Sequence, residues 1–246
     1  MSQRINLVVA TPCFGGQISV RYGGSLFKLQ KLVRAYDDLD LKILFKDGDA
    51  LITRARASLV QQFLDDPGAT HLLFIDADIG FDPPDALRLL ARPEPVVAGV
   101  YKKKNARDYS GAFAAGVDRV VFGPAAPGLY PMLYASAGFL RIRAEALHRM
   151  IDELKLPLCH WGPVKDFYPF FLPLCVPDGR GGTRYLTEDY SFSYRLQQIG
   201  ITPLADTAIK LYHFGKYGFS FEDLNPRQRI LNCTLDIEYA EGDDRP

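Results

Sequence analysis

Residues 72–81 read LLFIDADIGF, an apolar run that stops abruptly on Asp76-Ala77-Asp78. From residue 71 to 75 the run has the length and bulk of a buried strand. Packing gives no reason for two carboxylates at its end. Open α/β sheets bind ligands at the carboxyl ends of their strands. Hard divalent cations such as Mn²⁺ or Mg²⁺ take oxygen ligands and bridge to substrate phosphates. Taken alone, the tripeptide is equally well explained as a turn with two solvated aspartates.

The flanking sequence supplies an α/β context. Residues 5–10 read as a first buried strand, ended by Thr11-Pro12. A stretch punctuated by Gly15, Gly16, Gly23 and Gly24 follows, then a helix over 25–36 and a strand over 41–45. Residues 50–64 read as a helix with Ile52, Leu59 and Phe63 on one side and Arg54 and Arg56 elsewhere, either solvated or facing a ligand. Pro83 and Pro84 suit the first turn of a helix reaching residue 90, and 96–100 is a further strand. Strands alternating with helices predict a central, mostly parallel sheet with helices on both faces, a Rossmann-like α/β fold.

Past residue 100 the pattern changes. Lys102-Lys103-Lys104 opens a polar stretch, short strands are expected over 109–142, and a helix over 143–154. Residues 155–184 hold prolines at 157, 163, 169, 173 and 177, Gly179, Gly181 and Gly182, and Trp161, Phe167, Tyr168, Phe170 and Phe171. So long an irregular stretch inside a domain reads as a lid with glycine hinges or as a packed apolar excursion. Thr187 is placed to cap a helix ending at Gly200, and residues 204–214 read as strands. The whole reads as one domain over 1–240. The pattern changes near residue 100, dividing it into halves of about 1–100 and 101–220, and a frayed acidic tail covers 241–246.

Composition narrows the function classes. The chain has 246 residues, 48% hydrophobic and 24% charged, which excludes a largely disordered protein. Lys plus Arg equals Asp plus Glu at 29 each, a balance that disfavours a dedicated nucleic-acid binder. Cys13, Cys159, Cys175 and Cys233 form no CxxC pair, so reduced thiols are expected rather than a zinc site or disulfide framework. No apolar run approaches the ~18 residues of a membrane span, and the start lacks a signal-peptide pattern, so a cytoplasmic location is expected. Neither a GxxxxGK[ST] loop nor a strand-anchored GxGxxG occurs.

Four segments in order, LLFIDADIGF, ASAGFLRIR, TEDYSFSYRLQQIG and LYHFG, resemble the succession found in GT-A-fold glycosyltransferases. VVATPCFGG resembles the first strand and nucleotide-binding turn of that fold. RARASLVQQFL followed by THLLFIDADI is similar to bacterial family-2-like enzymes and to fungal mannan polymerase subunits. The resemblance spans roughly residues 5–219 and implies a nucleotide-sugar-binding half over about 1–100 and an acceptor-binding half over about 101–220, with 155–184 as a lid or acceptor loop.

It implies the following roles. Asp76 and Asp78 match the DxD that holds Mn²⁺ or Mg²⁺ against the donor diphosphate, and His213 matches a late histidine of the metal shell. Thr11 and Pro12 match the strand end beside the nucleotide, with Asp47 or Asp49 as a looser match to a base or ribose contact. Ala77 belongs to the same donor-binding turn, and Arg56 matches a cation near the diphosphate. One of the lysines, Lys104 by preference, touches phosphate or is simply solvated. Ser136, Ala137 and Gly138 match the small-residue segment lining the acceptor site, to which Trp161 is added as a stacking platform for a sugar.

For Glu188-Asp189, the resemblance implies that Asp189 is the general base of an inverting transfer, with Glu188 an acceptor or structural contact. In a retaining, mannosyltransferase-like enzyme the pair would orient substrates instead. The expected activity is transfer of a sugar from a UDP- or GDP-sugar to a hydroxyl of a glycan, lipid-linked glycan, protein or small molecule. A nucleotide-sugar-binding scaffold subunit is the alternative, and exposed aromatics in 155–184 equally suit a contact in a homo-oligomer. A nucleotidyltransferase is disfavoured, because CFGGQISVRYGG lacks the usual glycine and basic spacing.

Overall fold

The computed structural model describes residues 4–104, 108–125, 128–162, 164–215, 218–221, 227–230 and 233–240. The expected tail at 241–246 lies outside them. Strand β1 (Ile5–Cys13) is followed by α1 (Val20–Val33), β2 (Leu39–Asp47), α2 (Ile52–Leu64), β3 (His71–Ile75), β4 (Ile79–Phe81), α3 (Pro83–Leu90) and β5 (Val96–Ala98). Next come β6 (Ala112–Phe113), β7 (Arg119–Phe122), β8 (Leu129–Tyr134), β9 (Phe139–Arg143), α4 (Ala144–Leu154), β10 (Cys159–Trp161), β11 (Val164–Phe167), β12 (Leu174–Pro177) and β13 (Thr183–Leu186). The chain closes with α5 (Glu188–Gln198), β14 (Leu204–Asp206), β15 (Leu211–Phe214), β16 (Gly218–Phe219), β17 (Arg227–Ile230) and β18 (Cys233–Tyr239).

The central sheet has the order β2-β1-β3-β9-β5-β14-β8-β6. Strands β2, β1, β3, β5, β14 and β6 run one way, and β9 and β8 run against them. The mostly parallel α/β sheet is therefore present, with β9 inserted in reverse between β3 and β5. Because β9 starts beside the end of β3, with Phe139 opposite Ile75, the preceding residues 135–138 lie across that end.

Alternation along each strand divides the core into two layers. Leu7 and Val9 of β1 and Leu73 and Ile75 of β3 pack with Tyr22, Leu26 and Leu29 of α1 and Leu89 of α3. Val8, Ala10, Leu72 and Phe74 face the other way, onto Leu59 and Phe63 of α2, Leu147 of α4 and Leu196 of α5. Helices thus cover both faces of the sheet.

Two local expectations need correction. Pro12 does not end β1, which continues through Cys13 paired to β2. The β1–β3 ladder stops at Ala10 opposite Phe74, so Pro12 sits where only one neighbour remains and its missing N–H is tolerated. Residues 155–184 are not a long irregular loop: hairpins β10–β11 and β12–β13 flank a buried Phe170-Phe171 pair. Phe171 stacks on Phe192 at 4.7 Å and meets Phe74 edge-on at 5.5 Å. Arg195 ties the pair down by donating to the carbonyls of Phe170 (3.2 Å) and Leu172 (2.8 Å). Gly179 and Gly181, at φ 74° and 86°, shape the β12–β13 turn around the Asp178 carboxylate, which accepts from the Arg180 and Gly182 amides.

Candidate functional site

Beyond Ala10 and Phe74 the strands β1 and β3 part, and a cleft of about 610 Å³ opens at their carboxyl ends. Pro12, Asp49, Arg56, Asp76, Ala77, Asp78 and Glu188 line it, as do Cys13, Gln17, Ser19 and Lys46, which the sequence reading had not singled out. The Gly15-Gly16 pair, which marks a turn after β1, is the sequence signal by which Gln17 and Ser19 could have been found. Both glycines have positive φ, 70° and 67°, which favours glycine.

The Asp76-Ala77-Asp78 turn is held on three sides through its backbone. The Asp76 amide donates to the Gly138 carbonyl (2.9 Å), the Ser19 amide to the Ala77 carbonyl (2.8 Å), and the Phe214 amide to the Asp78 carbonyl (2.8 Å). This last bond brings β15 and its His213 alongside Asp78.

The two aspartates have different partners. Arg56, only 3% exposed, donates to Asp76 Oδ1 at 2.8 Å and to the Ala137 carbonyl at 3.3 Å. Its Nε lies 3.9 Å from Glu188 Oε1 and has no hydrogen-bond partner among the described residues. The solvated-face reading of Arg56 is thereby overturned, since α2 turns it inward. Burial alone would lower its pKa, but the Asp76 and Glu188 charges hold it above the ordinary value.

Asp78 Oδ2 accepts from Lys104 Nζ at 2.5 Å and lies 3.6 Å from His213 Nε2. Burial pulls the Asp78 carboxyl up, yet the neighbouring His213 ring and the Lys104 ammonium outweigh it and leave it below the usual carboxylate range. His213 Nδ1 sits 2.9 Å from the Lys102 carbonyl, a bond that requires the proton on Nδ1 and leaves Nε2 as an acceptor when the ring is neutral. A carboxylate oxygen beside a free imidazole nitrogen is donor chemistry that suits a divalent cation whose remaining positions go to phosphate and water. Asp76 is turned toward Arg56, so the three expected ligands do not converge. Among the described residues no three His, Cys, Asp or Glu side chains are grouped to hold a metal by themselves.

The acidic pair opens α5. Glu188 lines the cleft, and burial first, then the Asp189 charge, push its carboxyl above the ordinary value. Asp189 Oδ1 accepts from the Thr187 hydroxyl (2.8 Å) and the Tyr190 amide (2.9 Å), which fixes its orientation. Thr187 therefore braces Asp189 and makes no side-chain cap to the helix.

Other expected site residues are committed to neighbours. Thr11 is fully buried and its hydroxyl meets the Tyr22 hydroxyl at 2.5 Å, so its side chain points away from the cleft. Asp49 takes two 2.8 Å bonds from Arg54 and one from the Leu51 amide, bonds that hold its carboxyl low. Trp161 stacks on that same Arg54 at 4.7 Å, which places it on the Asp49 side of the cleft. Ser136 is bonded to the Tyr101 hydroxyl at 2.7 Å. At Gly138 a Cβ would collide with that hydroxyl, so the close approach requiring glycine is that of Tyr101. Of the three lysines only Lys104 reaches the cleft edge: Lys103 pairs with Asp108 at 2.9 Å, and Lys102 is buried with its ammonium over the Phe219 ring.

No protein family and no curated protein matches the sequence. Among solved structures, A197 from STIV is similar at 19% identity over 86% of each chain, with a TM-score of 0.49. A glycosyltransferase involved in glycosylation of the major capsid of PBCV-1 is similar at 13% identity over 58% of this chain and 61% of its own, TM-score 0.32. TarS residues 1–349 from S. aureus is similar at 12% identity over 63% of this chain and 50% of its own, TM-score 0.37.

Proposed function

We propose that the chain is a glycosyltransferase that moves a sugar from a nucleotide-diphospho-sugar to an acceptor hydroxyl. The observation that carries this reading is the convergence of Asp76, Asp78, Arg56 and Glu188 on one cleft at the strand ends, with His213 and Lys104 against Asp78. Lys104 and Lys46 supply cations for a diphosphate, and the 14–19 turn supplies a wall for the nucleotide. Mn²⁺ or Mg²⁺ bound by Asp78 and His213 would supply Lewis-acid stabilisation of the departing diphosphate.

For the transfer itself we assign Asp189 as the base. It takes the proton of the acceptor hydroxyl as that oxygen bonds to the anomeric carbon, while the carbon–oxygen bond to the diphosphate breaks and the nucleoside diphosphate leaves. Support comes from its fixed orientation and from Glu188, whose carboxylate faces the Arg56 guanidinium and so serves to position. The test is product formation from UDP- and GDP-sugars, with the anomeric configuration of the product read by NMR. Inversion is expected, with Asp189→Asn losing turnover while nucleotide affinity holds. Retention of configuration, or full turnover in Asp189→Asn, would refute the assignment.

A further inference from the structure

One face of α1 is left over by the packing of the fold. The helix buries Tyr22, Leu26, Leu29 and Val33 against the sheet, yet leaves Val20 91% and Phe27 76% exposed. Phe14 and Ile18, also exposed, carry this apolar surface to the rim of the cleft. The same surface is strongly basic. Residues 17–36 contain no Asp or Glu, while Arg21, Lys28, Lys31 and Arg34 are all exposed and none is ion-paired among the described residues. In a chain of zero formal net charge this is a local concentration of positive charge.

Beside the helix runs a groove of about 770 Å³. Val20, Arg21 and Lys28 form one wall, Tyr212 and Phe214 the other, and Asp82 is the single acid among its described lining residues.

An anionic polymer would use the cations and leave the apolar side chains in water. A bilayer interface uses both, since headgroup charge attracts Lys and Arg while Phe and Val enter the acyl boundary. We propose that the exposed face of α1 and its groove form a docking surface for an anionic lipid bilayer. Docking there sets the cleft mouth at the membrane surface, within reach of a hydroxyl carried on a lipid. That consequence rests on the transferase reading, whereas the docking itself does not.

The test is flotation of the full chain with vesicles of phosphatidylcholine alone and of phosphatidylcholine with phosphatidylglycerol in equal parts. Binding to the anionic vesicles only is expected. Lys28→Ala with Lys31→Ala should weaken it by roughly tenfold or more, and Phe27→Ser, at a site open to water, by about tenfold. Absence of binding to anionic vesicles overturns the proposal. So does binding to which Phe27→Ser is indifferent, a result that with matching retention on heparin would assign the surface to an acidic polymer instead.

Discussion

The Lys104 ammonium stands 2.5 Å from Asp78 Oδ2, the same oxygen that faces His213 Nε2 at 3.6 Å. The chain thus places a cation of its own where a carboxylate and an imidazole nitrogen converge. A metal ion arriving there meets a like charge, and a diphosphate arriving there offers Lys104 a new partner.

Replacing Lys104 by Met therefore has opposite effects on the two ligands. Mn²⁺ alone should bind about tenfold more tightly once the competing charge is gone, and a nucleoside diphosphate about tenfold more weakly. Electron paramagnetic resonance of free Mn²⁺ measures the first and calorimetry the second. Unchanged Mn²⁺ affinity would show that Lys104 does not contest the position.

Arg56 is the charge on which the floor of the cleft depends. Arg56→Met leaves Asp76 and Glu188 facing each other without a cation, and should cost about 2–4 kcal/mol in urea unfolding. The double variant Arg56→Met, Asp76→Asn should recover part of that loss, because the stranded carboxylate is removed with it. A double variant no more stable than the single one would contradict the coupling.

Gly138→Ala forces Tyr101 away from the Ser136 hydroxyl and from the edge of the His213 ring, whose centroid lies 5.1 Å from its own. A loss of about 1–3 kcal/mol is expected from overpacking. Adding Tyr101→Phe to it should restore part of the stability, since the hydroxyl makes the closest of the three collisions with that Cβ.

Much of this was legible in the residues, and the exceptions share a cause. The unbroken burial of β3 and of β1 from Leu7 onward, the helix end closed by Gly200 (φ 72°) and the aspartate pair at a strand end follow from local pattern. Arg56 was not legible as a buried residue, because its partners Asp76, Ala137 and Glu188 come from three separate segments. Arg141 is a similar case: its guanidinium is buried among the carbonyls of Leu89 (3.1 Å), Arg92 (2.9 Å) and Glu94 (2.5 Å), partners that only β9's reversed insertion supplies. The hairpins within 155–184 were hidden by prolines and glycines that mark turns as readily as disorder.

His71 sets an acid limit on stability. Burial first, then the Arg141 and Arg143 charges, push its pKa from 6.5 down to about 4. The folded protein keeps the ring neutral while the unfolded chain protonates it at about 6.5. Stability from this site is thus complete above about 6.5 and lost as pH falls from there toward about 4, a change on the order of 2–3 kcal/mol. Urea midpoints measured across that window should fall with acidity in the wild type and fall less in His71→Gln.

The most direct measurement is calorimetric titration of UDP, GDP, CDP and dTDP, with and without Mn²⁺, into the wild type and Asp78→Ala. One diphosphate binding the wild type more tightly with Mn²⁺, and lost in Asp78→Ala, is the predicted result. No diphosphate binding under either condition, or binding that Asp78→Ala leaves intact, would contradict the assignment of this cleft to a nucleotide-sugar donor.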